Sequence, residues 1–175
     1  MTSIPDIRLL GLDCDGVLTD GTILLDDHGV ESKRFHVHDG LAIKAWLASG
    51  RSLAVITARH SPALERRMSE LGVTILHQGV ADKKQVFLEL LRRQELDPGS
   101  SAFMGDDLGD LAILSACGLP LAPANACPEV REAAVWVGER EGGAGAVREA
   151  IEMLMRTTGE WARFAPGAPG ATETT

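Results

Sequence analysis

Two clusters of carboxylates are the residues best placed to do chemistry. Asp13 and Asp15 flank Cys14 at the end of the apolar run Leu9-Leu10-Gly11-Leu12 and precede Gly16 and Val17. Asp106, Asp107 and Asp110 follow a second run, Ala102-Phe103-Met104, after Gly105. At average residue frequencies D-x-D-G arises by accident in roughly 4% of chains this long and G-D-D-x-x-D in roughly 0.3%. Both together are therefore poorly explained as separate turn and helix-cap aspartates. Carboxylates gathered from two strand ends repel and raise one another's pKa, so they call for a cation; hard oxygen ligands select magnesium, which leaves part of its shell to water and substrate phosphate. With that charge screened, one carboxylate can attack phosphorus to give an aspartyl-phosphate. Its neighbour two residues on can protonate the leaving oxygen and later take a proton from water. Thr57 and Arg59, after the run ending at Ile56, and Lys83, within Asp82-Lys83-Lys84, add hydroxyl, guanidinium and ammonium donors for the phosphoryl oxygens.

These groups need a scaffold that brings several strand ends to one edge. Apolar runs at Ile7–Leu12, Leu53–Thr57, Val73–Leu76, Ala102–Met104, Leu119–Leu121 and Ala134–Val137 read as strands buried on both faces. Helical spacing of apolar residues falls between them, at Leu41–Ala48, Leu64–Leu71, Val86–Leu91 and Val147–Leu154. Such alternation predicts an α/β fold with a doubly wound, Rossmann-like parallel sheet, whose ligands sit at the carboxyl ends of the strands. A β-hairpin insertion, Thr22–Leu25 and Glu31–Val37 turning at Asp26–Gly29, is predicted directly after the first strand, where it can serve as a lid or an oligomer contact. On that strand His36 and His38 would face one side; without a third ligand at suitable spacing they suit substrate contact or the surface better than a metal. One domain is expected over residues 1–160, with a disordered tail over 161–175.

The chain has 175 residues and a net charge of −8, which excludes general attraction to nucleic acid or an anionic membrane. No apolar stretch has the length of a membrane span, and the first residues lack the layout of a signal peptide, so a cytoplasmic protein is expected. Cys14, Cys117 and Cys127 are too scattered for a disulfide framework or a zinc site and read as structural. Trp46 reads as core beside Ile43 and Leu47. An acidic chain repels an anionic substrate at long range, so local cations must supply the attraction.

Asp13-x-Asp15-Gly16-Val17, Thr57, Lys83 and Gly105-Asp106-Asp107 resemble, in order and spacing, the four motifs of the haloacid dehalogenase superfamily of phosphatases. That resemblance implies Asp13 as nucleophile and Asp15 as general acid/base. It implies Thr57 and Lys83 as donors to the phosphoryl oxygens, and magnesium held by Asp13, the backbone carbonyl of Asp15, and Asp106. Asp107 or Asp110 would reach the metal through water or brace the lysine. A narrower likeness covers about the first 155 residues. It rests on Asp15–Gly21, Phe35–Gly40, Ile56–Arg59, Gly105–Leu108 and Gly142–Glu149, and is to the 3-deoxy-D-manno-octulosonate 8-phosphate phosphatase family. This implies a capless, usually homotetrameric sugar-acid phosphatase of lipopolysaccharide synthesis, with the hairpin and C-terminal segment closing a neighbour's site. Substrate contacts are then implied at Asp15, His36, His38, Asp39, Gly40, Arg59, Arg67 and Lys83. His38 and Lys44 stand where that family usually has arginine, Ala58 where it has glycine, and Glu141 where a lysine or small residue is common. Phosphatases for N-acylneuraminate 9-phosphate or another sugar phosphate share this core, and a catalytically quiet regulatory domain of sugar-nucleotide synthesis is the alternative of a different class.

Overall fold

The computed structural model describes residues 5–164. In chain order the elements are β1 (Leu9–Leu12), β2 (Leu24–Leu25), β3 (Glu31–Ser32), α1 (Val37–Ala48), β4 (Ser52–Ile56), α2 (Pro62–Leu71), β5 (Ile75–His77), α3 (Lys83–Arg93), β6 (Ser101–Met104), α4 (Leu111–Leu114), β7 (Leu119–Ala122), α5 (Pro128–Ala133), β8 (Trp136–Val137) and α6 (Ala146–Thr157). Six strands form a parallel sheet in the order β5-β4-β1-β6-β7-β8, with the two-stranded hairpin β2-β3 apart from it.

The strands are apolar throughout because both faces are covered. Leu10, Leu12, Leu53, Val55, Ala102 and Met104 pack with residues of α1, α2 and α6, whereas Leu9, Ala54, Ile56 and Phe103 pack with those of α3, α4 and α5. Successive side chains alternate between these two cores, as the pleat demands. A Cβ on Gly11 would lie 2.4 Å from the Phe103 ring and 3.0 Å from that of Phe87, two aromatics packed edge to face, so the second core closes only over a glycine. Trp46 is 1% exposed and its Nε1–H donates to the Ser52 carbonyl at 2.8 Å, which makes it core.

Local signals set the helix starts. Ser61 caps α2 ahead of Pro62, and Asp82 caps α3 by accepting from the Gln85 N–H at 3.0 Å. The cap residue of α6 is Gly145, which has no side chain to offer. Asp39 of α1 takes its place: Oδ1 accepts from the Arg148 N–H at 2.7 Å. Burial holds the Asp39 carboxyl above the usual carboxylate range, against that hydrogen bond.

Two sequence expectations are corrected. Glu31–Val37 is not one strand: the ladder stops at Ser32, and α1 begins at Val37 with His36 as its cap residue. His36 and His38 are therefore not alternate positions of a strand. They straddle a helix start, rings 4.9 Å apart, because buried Asp39 in the first turn is committed to α6. At the other end the ordered chain continues past residue 160. A 3₁₀ turn, Glu160–Arg163, buries Trp161 to 3% exposure beneath the Arg148 guanidinium, 4.5 Å from its ring. The expected tail otherwise lies outside the described residues.

Candidate active site

The sheet changes winding direction at β1, whose neighbours β4 and β6 are reached from opposite sides, and this is where open α/β sheets bind ligands. Asp13 leaves β1 with its N–H on the Met104 carbonyl at 3.0 Å, and Thr57 leaves β4 with its N–H on the His77 carbonyl at 2.9 Å. Gly105 continues β6 by donating to the Leu121 carbonyl at 3.2 Å and delivers Asp106 to the same edge. Between them lies a cleft of about 360 Å³ lined by Asp13, Asp15, Thr57, Arg59, Lys83 and Asp106, among others.

Lys83 projects from the first residue of α3 to bridge two carboxylates. Its Nζ lies 2.9 Å from Asp13 Oδ2 and 2.7 Å from Asp110 Oδ1. Asp110, 1% exposed, spends its other oxygen on the Asp106 N–H at 3.0 Å. Of the roles the sequence left open, Asp110 has that of bracing the lysine, and Asp107 caps the turn that carries Asp110 by accepting from the Leu108 N–H. Burial and the neighbouring Asp110 charge push Asp13 up to about 6 despite Lys83, and burial with Asp13, Asp110 and Asp107 pushes Asp106 up to about 7. Burial works against the charged Lys83, but the facing Asp13 and Asp110 carboxylates hold its pKa above the ordinary lysine value.

Acidic oxygens of Asp13, Asp106 and Asp110 all lie within 4.8 Å of one another. Asp110 is already engaged at both oxygens, whereas Asp13 Oδ1 and Asp106 Oδ1 are buried without any hydrogen-bond partner. Two buried, unpaired carboxylate oxygens on residues that come this close are costly unless a cation neutralises them, and a hard divalent ion fits the all-oxygen set. The sign of its pH dependence follows. Both folded pKa values lie above the unfolded value near 3.8, so the metal-free fold binds extra protons and loses stability as pH rises from about 4 to about 7. A divalent cation competes with those protons. The magnesium-induced rise in melting temperature is expected to be small at pH 5 and large at pH 8, by scanning fluorimetry; an equal shift at both would place the ion elsewhere.

Gly16 makes the turn that lets this happen. Its φ is +84°, and a Cβ there would lie 1.9 Å from Asp106 Oδ2. Gly16→Ala is expected to cost about 1–3 kcal/mol in backbone strain and to displace Asp106. Denaturant unfolding and magnesium titration would show both losses; unchanged magnesium affinity would contradict the placement of Asp106.

Several contributors were not legible beforehand. Asn125 donates to the Gly16 carbonyl at 3.1 Å and accepts from the Gly142 N–H at 2.7 Å, tying the loop after β1 to the segment before α6. A Cβ on Gly142 would lie 1.8 Å from the Gly16 oxygen, so that approach is open only to glycine. Lys33 and Glu31 of the hairpin meet Asp15 and Arg59. The remaining expected substrate contacts lie apart from the cleft. His36, Asp39, Gly40 and Arg67 line a separate hollow with Phe35 and Met68, while His38 is exposed at the start of α1. Among the departures from the family pattern, Ala58 lines the cleft. Cys14 is buried, and burial beside Asp15 raises its thiol pKa, which suits a structural residue.

Residues 67–151 match the model of the haloacid dehalogenase-like hydrolases. The chain is 41% identical over 155 residues to the 3-deoxy-D-manno-octulosonate 8-phosphate phosphatase KdsC of Escherichia coli K12, covering 89% of this chain and 82% of that one. This chain belongs to the 3-deoxy-D-manno-octulosonate 8-phosphate phosphatase family. The family's Salmonella typhi member is 40% identical over 160 residues, 91% of this chain and 85% of its own. An octulosonate 8-phosphate phosphatase of Moraxella catarrhalis, solved with magnesium, phosphate and a KDO molecule, superposes with a TM-score of 0.88 at 35% identity, covering 91% of this chain and 92% of that one. The cobalt-bound Haemophilus influenzae phosphatase of this family gives 0.88 at 36% identity, with 94% and 96% covered. The doubly wound α/β reading thus agrees with solved relatives as well as with the sheet order.

Proposed function

We propose that the chain is a magnesium-dependent phosphatase that hydrolyses 3-deoxy-D-manno-octulosonate 8-phosphate through an aspartyl-phosphate on Asp13. The observation that carries this is the position of Asp13. It stands at the switch point of the sheet, with Lys83 on one oxygen and the other oxygen buried and unpaired, and its carboxylate lies close to that of Asp106. Asp13 and Asp106, with the backbone carbonyl of Asp15, would hold magnesium, which supplies charge neutralisation between the attacking carboxylate and the phosphoryl oxygens. The Asp13 carboxylate attacks phosphorus, the bond to the sugar oxygen breaks, and that oxygen takes a proton from Asp15. Asp15, now a carboxylate, removes a proton from water as the water attacks the aspartyl-phosphate. Inorganic phosphate departs and Asp13 regains its electron pair. Thr57 and Lys83 donate to the phosphoryl oxygens throughout.

Arg59, at the mouth of the cleft, supplies a cation for the sugar-acid carboxylate. His36, His38, Asp39, Gly40 and Arg67 belong to substrate recognition in this reading through a homotetramer. The exposed apolar residues Ile23, Leu24, Leu25 and Val30 of the hairpin favour such an assembly, because burying them between copies gives the hairpin region of one chain access to a neighbour's cleft. Among the described residues no helix is long and apolar enough to cross a membrane, which agrees with the cytoplasmic setting we infer.

The class of reaction is tested by phosphate release from sugar phosphates with magnesium present, after chelation, and after magnesium is restored. Release that disappears and returns with the ion is expected. Silence on every ester, with magnesium supplied, would favour the regulatory-domain reading instead.

A further inference from the structure

Among the described residues two cationic side chains line the cleft, Lys83 and Arg59, and both are already taken. Lys83 Nζ sits between Asp13 Oδ2 at 2.9 Å and Asp110 Oδ1 at 2.7 Å. The Arg59 guanidinium pairs with a Glu31 oxygen, and its Nε stands 3.4 Å from Asp15 Oδ2. Lys33 pairs with Asp15 Oδ1 and lies 2.9 Å from the other Glu31 oxygen. Asp15, Glu31, Lys33 and Arg59 together carry no net charge. The cleft mouth therefore offers an incoming anion no uncompensated cation, in a chain whose net charge is −8.

A carboxylate on the substrate gains a full partner there only by replacing one that the protein supplies. The protein's own carboxylates differ in how firmly they are placed. Asp13, Asp15 and Asp110 stand on loops that leave the buried strands β1 and β6, and the Asp110 side chain is 1% exposed. Glu31 belongs to β3, a two-residue strand that pairs with β2 outside the six-stranded sheet, and an isolated hairpin is marginal in water. The Arg59 side chain is 45% exposed, so carboxylates exchange on it at the water boundary, where an ion pair is easily broken. Lys33, 5% exposed, keeps Glu31 paired when Arg59 is given up, so the exchange orphans no charge.

We propose that Glu31 is a specificity-determining residue that competes with the substrate's carboxylate for Arg59. In the empty cleft Glu31 occupies the guanidinium. A ligand that brings its own carboxylate takes its place, whereas a ligand without one leaves the Glu31–Arg59 pair intact and gains nothing from Arg59. The product of phosphate removal keeps the same carboxylate, so the return of Glu31 to Arg59 also favours its departure. No covalent bond changes and no proton moves; one ion pair is exchanged for another. This rests on the sugar-acid reading above, in which Arg59 receives the substrate carboxylate.

The test is isothermal titration calorimetry of the full-length chain in saturating magnesium with two probes. One is 3-deoxy-D-manno-octulosonate, which has the carboxylate, and the other is inorganic phosphate, which lacks it. Competition weakens the apparent affinity by the fraction of molecules in which Arg59 is free. Glu31→Gln is expected to tighten the Kd of the sugar acid about two- to fivefold, the factor an exposed ion pair supplies, and that of phosphate by less than about 1.5-fold. Arg59→Met is expected to weaken the sugar acid about tenfold and phosphate little. With Arg59→Met already in place, Glu31→Gln is expected to change neither Kd, because the gain is a coupling between the two side chains. Glu31→Asp draws the carboxylate back from Arg59 by one methylene. It is expected to tighten the sugar acid by a smaller factor, and it keeps the test available if Glu31→Gln does not fold.

The outcomes separate the proposal from the reading beneath it. If Arg59→Met binds the sugar acid as tightly as the wild type, Arg59 does not receive the carboxylate, and the role of Glu31 falls with it. If Arg59→Met weakens the sugar acid while Glu31→Gln leaves it unchanged, Arg59 keeps its role and the competition is overturned. Equal tightening of both probes by Glu31→Gln, or a gain that survives Arg59→Met, would reduce Glu31 to a general repulsive charge and overturn the proposal as well.

Discussion

Asp13→Asn is expected to remove phosphate release, by roughly 10⁴–10⁶-fold in kcat, the range seen when a covalent nucleophile is deleted. The size follows from what is lost at one atom pair. An amide oxygen is a feeble nucleophile toward phosphorus, and the same change takes one of the two unpaired oxygens from the cation site. The fold itself does not need the charge. Burial and the Asp110 carboxylate already push the Asp13 pKa up to about 6, so its anion is strained in the metal-free protein. The variant is therefore expected to melt at or above the wild-type temperature without metal and to gain little when magnesium is added. A phosphate-release assay and a paired melting curve check both halves. Turnover within tenfold of wild type would remove Asp13 from the nucleophile's role.

Lys83→Met strikes the same site from the opposite charge. Lys83 stands between Asp13 and Asp110, whose side chains are 10% and 1% exposed, and it is the cation within 3 Å of both. Removing one partner of a buried ion pair typically costs about 3–5 kcal/mol because the remaining charge is left unpaired. The loss should be largest at pH 8 and above in metal-free protein, where Asp13 and most of Asp106 are ionised, and smaller near pH 5. Activity is expected to fall by about 10²–10³-fold, the usual effect of deleting one donor to a transition-state oxyanion. Urea unfolding at the two pH values, beside kcat, distinguishes this from loss of a surface charge. A stability change under 1 kcal/mol at pH 8 would show that the lysine does not hold the two carboxylates together.

The parts of this site that were legible in the sequence are those encoded locally. An apolar run ending in Asp-x-Asp-Gly states both a buried strand and the carboxylates at its tip, and the same holds for the run before Gly105-Asp106. Asp82-Lys83-Lys84 stands just ahead of the helical spacing at Val86–Leu91, and Asp82 is the cap residue of that helix. What stayed hidden depends on contacts between distant segments. Lys33 and Asp15 are 18 positions apart and Asn125 and Gly16 are 109, and no spacing rule joins such pairs. The helices α4 and α5, with four and six residues, complete too little of a helical period to be seen. The start of α1 was misplaced for a related reason. Alternation over Glu31–Val37 is a weak strand signal, and the feature that decides it, Asp39 serving the unprovided N-terminus of α6, is tertiary.

The most direct test of the proposed function is kcat/KM for 3-deoxy-D-manno-octulosonate 8-phosphate against N-acylneuraminate 9-phosphate and a neutral hexose 6-phosphate, all with saturating magnesium. Arg59 at the cleft mouth is expected to favour the sugar-acid esters over the neutral one, and the proposed substrate, the eight-carbon ester, is expected to exceed the nine-carbon one by at least tenfold. A preference for the nine-carbon substrate, or equal turnover of the neutral hexose phosphate, would contradict the assignment of this chain to octulosonate 8-phosphate hydrolysis.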